Sequence, residues 1–405
     1  MTTSTDILFD PTDPELRRDP YPTYRRMREE APAWRSPGGT WYFSRYEDCV
    51  DLMRSPALSY DSTATAAYQA SLSDDDEVRA HQLAETQKNK SLLDVDPPEH
   101  TRLRSLINRA FTPGAVEETR PMIDEYVDML IDTFDGDTID LVEHYGSMLP
   151  ILVICRMMGI STDDRHEFLA VGNAVARSVD PDVPLEQKLV ANARMREYIG
   201  GLVDARRSTP GDDLMTRLIE ATEDGRIVSL DELLINTGIL LIAGFETTTN
   251  LITNGVYRLL ERPDQLAAYT ADAAMDRTAI DEILRFDPPT QFMRARTIIE
   301  DTEIGGAELH PGDPVVPLLA AANRDPEEFE DAERLDVARG VNRHLSFGVG
   351  HHLCIGAGLA RMEARVAIRR LFERYPDLAL APDQEPEYRP NLQLRGFSKL
   401  PVTLG

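Results

Sequence analysis

The run HLSFGVGHHLCIGAGLARMEAR, residues 344–365, places a cysteine among glycines just before a predicted helix. The apolar residues after Cys354 recur at helical spacing, so the dipole and free N–H groups of a helix N-terminus favour its thiolate over its thiol. The glycines let the backbone approach closely and adopt positive φ. These features indicate either a catalytic nucleophile, with the adjacent His351 or His352 as its base, or a sulfur that binds a metal. A structural cysteine would not need the glycines.

A second candidate is AGFETTTN, residues 243–250, which lies in an otherwise apolar stretch. Its glycine and three consecutive threonines are poor helix formers, which favours a local distortion at a functional place. Glu246, beside the hydroxyl of Thr247, could relay protons if the pair is buried. The alternative is a polar stripe that faces water.

A long helix must hold this second segment. Ser229 and Glu232 form an S-x-x-E capping box, and no proline follows until Pro263. About 33 helical residues at 1.5 Å each span roughly 50 Å, which is enough to cross a domain. We therefore predict a central helix that is buried over much of its length.

A third candidate is the pair Glu282 and Arg285 in DEILRF. The two residues are three apart, so they share one helix face and can form an ion pair. Many surface helices carry such a pair, which contributes only a few tenths of a kcal/mol. By itself this pair is a weak signal of function.

The composition is that of an ordinary globular chain: 405 residues, 42% hydrophobic and 28% charged, with a net charge of −27. Such acidity disfavours nucleic acid and anionic membranes as partners. We expect no signal peptide and no membrane span, because the N-terminus lacks a basic and apolar leader and the longest apolar run, near residues 238–245, is short. Three widely spaced cysteines give no zinc pattern and suit the cytoplasm, with Cys49 and Cys155 buried and inert.

Most of the chain is predicted to be helical. Residues 34–44 predict a strand, a turn and a second strand, and residues 392–404 predict a further β segment. Residues 62–91 are polar and weakly patterned, which predicts a long, mobile and irregular connection, and residues 180–187 predict a loop between two helices. The sequence therefore predicts one mainly helical domain, residues 1–405, with small β-sheets at one side.

The full pattern F-G-x-G-x-H-x-C-x-G, from Phe347 to Gly356, resembles the haem-binding loop of the cytochrome P450 superfamily. Four further segments, together with AGFETT, resemble landmarks of its soluble bacterial members and occur in the same order. The five are LDVDPPEHTRLRSLINRAFTP (93–113), AGFETT (243–248), EILR (282–285), AANRDPEEF (321–329) and RGFSKLPVTL (395–404). The resemblance covers nearly the whole chain and implies a fold in which haem lies between the long central helix and the cysteine loop.

The resemblance implies that individual residues surround a b-type haem. Cys354 would be its axial thiolate, which favours cleavage of the O–O bond, and Phe347 would pack close to the sulfur. Cations would bind the haem propionates, and Arg294 competes with Arg296 for one of these positions. The implied cofactor-binding set is His100, Arg104, Arg296, Phe347, His352, Cys354, Gly356, Ala243 and Gly244.

The resemblance also gives a role to the charged motifs. Glu246 and Thr247 would be the acid and the alcohol that deliver protons during oxygen activation. Glu282 and Arg285 would form a buried network with Arg334 and lock the cysteine loop onto the core.

The implied activity is monooxygenation of a largely hydrophobic small molecule with O2, in natural-product (secondary) metabolism or in catabolism. A peroxide-using member of the family and a non-catalytic haem sensor or carrier are the alternatives. Substrate contacts are expected from the segments 62–91 and 180–187 and from Leu240, Phe292, Met293, Leu392 and Leu394.

One haem domain would account for all 405 residues, so the electrons are expected from a separate ferredoxin and its NAD(P)H-dependent reductase. Ferredoxins are generally acidic, as this chain is, so the encounter would need a local patch of cations. Candidates for this patch are Arg102, Arg109, Arg343 and Arg361.

Overall fold

The structure, a computed structural model, describes residues 9–73, 75–88, 90–161, 165–177, 183–223, 227 and 229–405. It is mainly helical, as predicted. The α-helices are α1 Pro14–Arg18, α2 Tyr21–Glu30, α3 Tyr46–Arg54, α4 Ala66–Ser71, α5 Asp76–Lys88, α6 Glu99–Ile107, α7 Pro113–Ile131, α8 Met148–Met158, α9 Arg165–Arg177, α10 Leu185–Ser208, α11 Leu214–Glu223, α12 Leu230–Leu260, α13 Pro263–Ala271, α14 Asp276–Phe286, α15 Leu319–Ala322 and α16 Ala357–Arg374.

The strands are short and pair into small sheets, which confirms the predicted fold class. They are β1 Ala33–Arg35, β2 Trp41–Phe43, β3 Leu58–Ser59, β4 Thr138–Asp140, β5 Arg296–Ile298, β6 Thr302–Ile304, β7 Ala307–Leu309, β8 Pro314–Pro317, β9 Ala379–Leu380, β10 Glu387–Tyr388, β11 Phe397–Lys399 and β12 Pro401–Thr403.

The largest sheet has the strand order β1-β2-β8-β5-β3. Its β1–β2 ladder is the predicted hairpin, with Trp34 opposite Tyr42, and β2 runs parallel to β8. The predicted C-terminal β segment forms β11 and β12, and β12 pairs with both β4 and β9. Leu394 makes only an isolated bridge to Thr290, so residues 392–394 precede the strands.

The long helix α12 confirms the prediction of a central buried helix. The hydroxyl of Ser229 accepts the N–H of Glu232 at 3.0 Å and caps the first turn. Its two halves belong to different apolar clusters, with Leu241 in one and Ile252 in the other, and the polar segment around Glu246 lies between them. At Gly255 a β-carbon would lie 2.7 Å from Cδ1 of Ile368 on α16, so a larger residue there would require the Ile368 side chain to shift.

The predicted distortion at residues 243–250 is wrong, because α12 is a continuous α-helix there. The hydroxyls of Thr247 and Thr249 donate to the carbonyls of Ala243 and Phe245, four residues earlier. Such back-bonds satisfy threonine hydroxyls inside a helix. Glu246, Thr248 and Thr249 are buried, so the segment is not a polar stripe that faces water.

The irregular connection predicted for residues 62–91 is also wrong, because the described part of this segment contains α4 and α5. Thr65 and Asp75 cap these helices by accepting backbone N–H groups of their first turns. The sequence of α5, DEVRAHQLAETQK, lacks an apolar face but is rich in strong helix formers. Of the loop predicted at 180–187, residues 180–182 lie outside the described residues, and α10 already begins at Leu185.

Among the described residues, no helix is both long and apolar enough to cross a membrane. Cys49 and Cys155 are buried, as predicted. Burial raises the pKa of the Cys49 thiol well above its usual value, which makes it inert.

Candidate functional site

The cysteine loop is a tight turn that ends at the N-terminus of α16. Gly348 and Gly350 adopt φ of +68° and +77°, which favours glycine at both positions. At Gly350 a β-carbon would also lie 3.1 Å from the carbonyl oxygen of Met53. The N–H of Cys354 donates to the carbonyl of Phe347 at 2.9 Å and closes the loop, and Gly356 is the N-cap of α16.

The side chain of Cys354 is exposed, whereas Cys49 and Cys155 are buried in apolar clusters. Although part of the residue is exposed, protein atoms around the sulfur remove water from it and raise the pKa of the thiol. The N–H groups of Gly356 and Ala357 lower that pKa, as predicted for the helix N-terminus, and so do the charges of Arg104 and Arg361, but the loss of water has the larger effect. A coordinated metal ion deprotonates a thiol outright, so the raised pKa does not prevent Cys354 from binding a metal.

The middle of α12 opens on one side. Ala243 is exposed and Gly244 and Thr247 are half-buried, although the residues on either side of them are mostly buried. Ile355, which follows the cysteine, packs against the apolar cluster that contains Leu240 and Phe245 of α12. The structure thus packs the cysteine loop and this part of α12 against the same apolar cluster.

Glu246 and Thr247 point in different directions. The hydroxyl of Thr247 donates to the carbonyl of Ala243 at 2.7 Å on the open side of α12. The buried carboxylate of Glu246 accepts a hydrogen bond from Nη1 of Arg389, which follows β10. Sequence reasoning missed Arg389, because 143 residues separate the two partners.

A second cluster, beside the cysteine loop, contains His100, His352, Tyr60 and Arg296. The His352 ring stacks on Tyr60 at 3.7 Å between centroids and lies 4.1 Å from the His100 ring. The guanidinium of Arg296 lies 4.7 Å from the centroid of the Tyr60 ring. We call these four residues the cationic cluster.

Burial and mutual repulsion make positive charge unfavourable in the cationic cluster. Burial and neighbouring cations lower the pKa of His100 to about 4 and that of His352 to about 2. Burial and Arg294 lower the pKa of Arg296 to about 10, although Asp94 lies only 3.7 Å away. These shifts mean that the cluster disfavours further positive charge and would be stabilised by an anion.

Among the described residues, three buried nitrogen atoms in the cationic cluster find no hydrogen-bond partner: Nε2 of His100, Nε2 of His352 and Nε of Arg296. Leaving a buried polar atom unsatisfied costs about 1–3 kcal/mol. A carboxylate such as a haem propionate would accept from Arg296 and would favour the protonated, donating form of each histidine, so the residues present fit a haem whose iron would bind Cys354.

The two arginines that compete for a propionate have different environments. Arg296 is buried in β5, whereas Arg294 is exposed and pairs with Asp94. Arg104 donates to the carbonyl of His351 at 2.9 Å and so also supports the cysteine loop. Burial favours Arg296 over Arg294 as the binding residue.

Glu282 and Arg285 form a fully buried ion pair on α14, at 2.7 and 2.8 Å. The remaining N–H groups of Arg285 donate to the carbonyls of Asn323, Ala332 and Arg334 at 2.8–2.9 Å, so all five of its donors are used. The predicted role of the Arg334 side chain is wrong, because that residue offers only its carbonyl and is exposed.

Arg339 takes the place predicted for Arg334. Its Nε donates to Glu282 at 3.0 Å, and the amide of Asn342 donates to the same carboxylate at 3.0 Å. We call Glu282, Arg285, Arg339 and Asn342 the structural cluster. The sequence has four arginines from 324 to 343, so spacing could not identify the one that reaches Glu282.

Asn323 connects the structural cluster to the cysteine loop. Its carbonyl binds Arg285, and its side chain accepts from the N–H of Leu345 at 2.6 Å and donates to Ser346 at 2.8 Å. Leu345 and Ser346 directly precede Phe347. Asn323 lies in the AANRDPEEF landmark, but the sequence alone did not give it a function.

The predicted substrate contacts are distributed among separate apolar clusters. Leu240 belongs to the cluster with Phe245, Met293 packs against the one around Leu52, and Leu392 and Phe292 belong to the one with Phe9. Leu392 is 1% exposed, so packing already uses its side chain.

The four arginines predicted to form the cationic docking patch differ in their exposure and in their ion pairs. Arg102 pairs with Glu232 and Glu99, and Arg361 pairs with Asp281 at 2.7 Å while it lies 4.4 Å from the Phe347 ring. Arg109 and Arg343 are exposed. The first two cations are therefore already partly neutralised.

Comparison with known proteins agrees with this geometry. A family model described as cytochrome P450 matches residues 57–272 and 275–404. The cytochrome P450 monooxygenase PikC of Streptomyces venezuelae is 41% identical over 400 residues, which cover 96% of this chain and 92% of that protein.

Two solved structures are similar to this chain over their full length. The ligand-free structure of CYP164A2 from Mycobacterium smegmatis has a TM-score of 0.89 and 38% identity, covering 99% of this chain and 100% of that chain. The structure of PksS, a polyketide biosynthesis cytochrome P450 of Bacillus subtilis, has a TM-score of 0.87 and 34% identity, covering 98% and 100%.

Proposed function

This chain belongs to the cytochrome P450 family and is a haem-thiolate monooxygenase, and we propose that it oxidises a largely hydrophobic small molecule with electrons from a separate ferredoxin. The observation that carries the proposal is the pairing of an exposed Cys354 with three buried nitrogen atoms beside its loop that find no hydrogen-bond partner among the described residues. A thiolate and a propionate site together are what a haem requires.

The haem is proposed to be of the b type, held without covalent attachment to its rim. Cys354 would bind its iron, and His100, Arg104, Arg296 and His352 would bind its propionates. Ala243, Gly244, Phe347 and Gly356 would lie against its faces, since small residues allow close approach. When bound, a haem with a thiolate ligand supplies the activation of O2 and the oxidation of the substrate.

Thr247 and Glu246 are proposed to handle the protons. The Thr247 hydroxyl on the open side of α12 can exchange its bond to Ala243 for one to a water molecule. Glu246, buried one residue earlier, would supply protons to that water. Both groups are present, which favours O2-dependent turnover over peroxide use or a non-catalytic sensor. Product that forms only with donor proteins would support O2-dependent turnover. Product that forms with peroxide alone would support peroxide use, and no product in either assay would support a sensor.

The substrate is proposed to come from natural-product (secondary) metabolism in the cytoplasm. Support comes from PksS, whose name assigns it to polyketide biosynthesis. The lining predicted from Leu240, Phe292, Met293 and Leu394 is apolar, which suits a hydrophobic molecule. A panel of such compounds, screened for a spin-state change in the haem spectrum, would identify the class.

The experiment that tests the proposal is spectroscopic. Reduced protein with carbon monoxide should give the strongly red-shifted Soret band of a thiolate-ligated haem, and Cys354→Ser should abolish that band. Cys155→Ser, at a buried cysteine far along the chain, should leave it unchanged. Persistence of the band in Cys354→Ser would contradict the assignment.

A further inference from the structure

The partner of Glu246 suggests where protons enter the molecule. On α12, Glu246 and Thr247 are successive residues, so their side chains diverge by about 100° around the helix axis. The Thr247 hydroxyl lies on the open side, whereas the Glu246 carboxylate binds Arg389. The acid therefore does not point to the same side of the helix as the hydroxyl that would use its protons.

Arg389 separates the buried acid from solvent. Glu246 is 2% exposed, whereas the Arg389 side chain is 17% exposed. Arg389 also lines an open cavity of about 500 Å³, together with Arg17, Arg18, Tyr257 and Glu385. Pro14, Pro386, Tyr388 and Pro390 complete the lining of this outer cavity, which is open to water and is lined by the same Arg389 side chain that binds the acid.

The backbone around Arg389 is held firmly against α12. The N–H of Arg389 donates to the carbonyl of Gly396 at 3.0 Å. At Gly396 a β-carbon would overlap the amide of Asn250, which lies one helical turn after Glu246. No side chain fits at that position, so the segment that carries Arg389 lies directly on the helix that carries the acid.

We propose that Arg389 is a positioning residue that holds Glu246 ionised at the inner end of the outer cavity, so that protons enter there and not through the substrate cleft. This inference rests on the proposed function. Arginine stays protonated in proteins, so it orients the acid and does not itself carry the proton. Glu246 would take a proton from a hydronium ion or a buffer acid in the outer cavity and release one toward Thr247, which regenerates the carboxylate.

The first test does not depend on turnover. In Arg389→Gln the buried carboxylate loses the positive charge of Arg389, and a buried carboxylate with less compensating charge takes up a proton more readily. Infrared spectra of the resting holoenzyme should then contain the C=O band of a protonated carboxyl group. Burial raises the pKa of Glu363 well above its usual value, so the wild type can already have such a band; in difference spectra against the wild type, the additional band should appear in Arg389→Gln and be absent from Arg389→Lys and from the double variant Arg389→Gln/Glu246→Gln. Absence of the additional band from Arg389→Gln would overturn the proposal.

The second test compares two ways of driving the reaction. With donor proteins and NAD(P)H, Arg389→Gln should lower the product formed per NAD(P)H by at least about tenfold, since a positioned acid contributes about 10²-fold or more. With hydrogen peroxide, which brings its own protons, the rate should stay within about twofold of wild type. Arg389→Lys should recover most of the coupling.

Arg18→Gln is the matched control, because Arg18 lines the same cavity and is exposed. It should change neither measurement. Equal loss of the NAD(P)H-driven and peroxide-driven rates in Arg389→Gln would show a packing defect and overturn the proposal. Failure of the proposed function would be distinct, because the wild type itself would then lack the thiolate-ligated haem spectrum.

Discussion

Two charged clusters support the cysteine loop, and they differ in how fully the protein satisfies them. In the structural cluster, Arg285 uses all five donors and the Glu282 carboxylate accepts from several sides. In the cationic cluster, His100, His352 and Arg296 each leave a buried nitrogen without a partner. The first cluster is complete without a ligand, whereas the second requires one.

The difference separates residues that hold the fold from residues that hold the cofactor. A complete network stabilises the apoprotein, and breaking it leaves an uncompensated buried charge. An incomplete network costs the apoprotein stability and recovers that cost when an anion binds. Mutations in the structural cluster should therefore destabilise the apoprotein, whereas mutations in the cationic cluster should leave its stability unchanged or raise it.

The largest effect is expected from Glu282→Ala. The substitution leaves Arg285 buried without its carboxylate, which costs about 3–5 kcal/mol, a large part of typical domain stability. Soluble holoprotein should be scarce, as measured by expression yield and urea unfolding. A well-folded, haem-loaded variant with merely slow turnover would contradict the structural role.

A smaller effect of a different kind is expected from Arg296→Gln. Loss of a hydrogen bond to a charged group costs about 1.5–3 kcal/mol, so haem should bind about tenfold to a hundredfold more weakly. The apoprotein should be as stable as wild type or more so, because the substitution removes a buried cation. The measurements are the rate of haem loss to a scavenging protein and urea unfolding of the apoprotein. Arg294→Gln, at the exposed competitor, is the control and should have little effect on either.

The third prediction compares the two arginines that could complete the structural cluster. Arg339→Gln removes a charged donor from Glu282 and should lower the free energy of unfolding by about 1–3 kcal/mol. Arg334→Gln changes an exposed side chain and should stay within about 0.5 kcal/mol of wild type. Equal losses in the two variants would restore the original assignment of Arg334.

The smallest effect is expected from the surface arginines predicted to bind ferredoxin. Arg109 is exposed, whereas Arg361 pairs with Asp281. Arg109→Glu should slow reduction by ferredoxin severalfold below physiological salt, and less at high salt, where the Debye length falls below about 8 Å. Its haem spectrum should not change. Arg361→Glu should alter the spectrum as well, because Arg361 lies over Phe347 and pairs with Asp281. Stopped-flow reduction at several salt concentrations would decide, and salt-independent rates for Arg109→Glu would place the partner elsewhere.

Features that depend only on neighbouring residues could be predicted from the amino-acid sequence. The glycines around Cys354, the S-x-x-E cap at Ser229 and the absence of proline before Pro263 predicted the cysteine loop and α12, because backbone conformation and capping are local. Residues 62–91 lack apolar periodicity, which predicts an irregular segment, but the intrinsic helix propensity of DEVRAHQLAETQK favours α5.

Contacts between residues that are distant in the sequence depend on how the chain packs. The sequence placed Glu246 beside Thr247, but packing turned its carboxylate toward Arg389, 143 residues away. It paired Glu282 with Arg285, but the loop after α15 decided that Arg339 and not Arg334 completes the cluster. The choice of Arg296 over Arg294 likewise follows from burial in β5. Charged side chains of one type are equivalent in the sequence, and only the folded backbone fixes which of them is buried within reach of a partner.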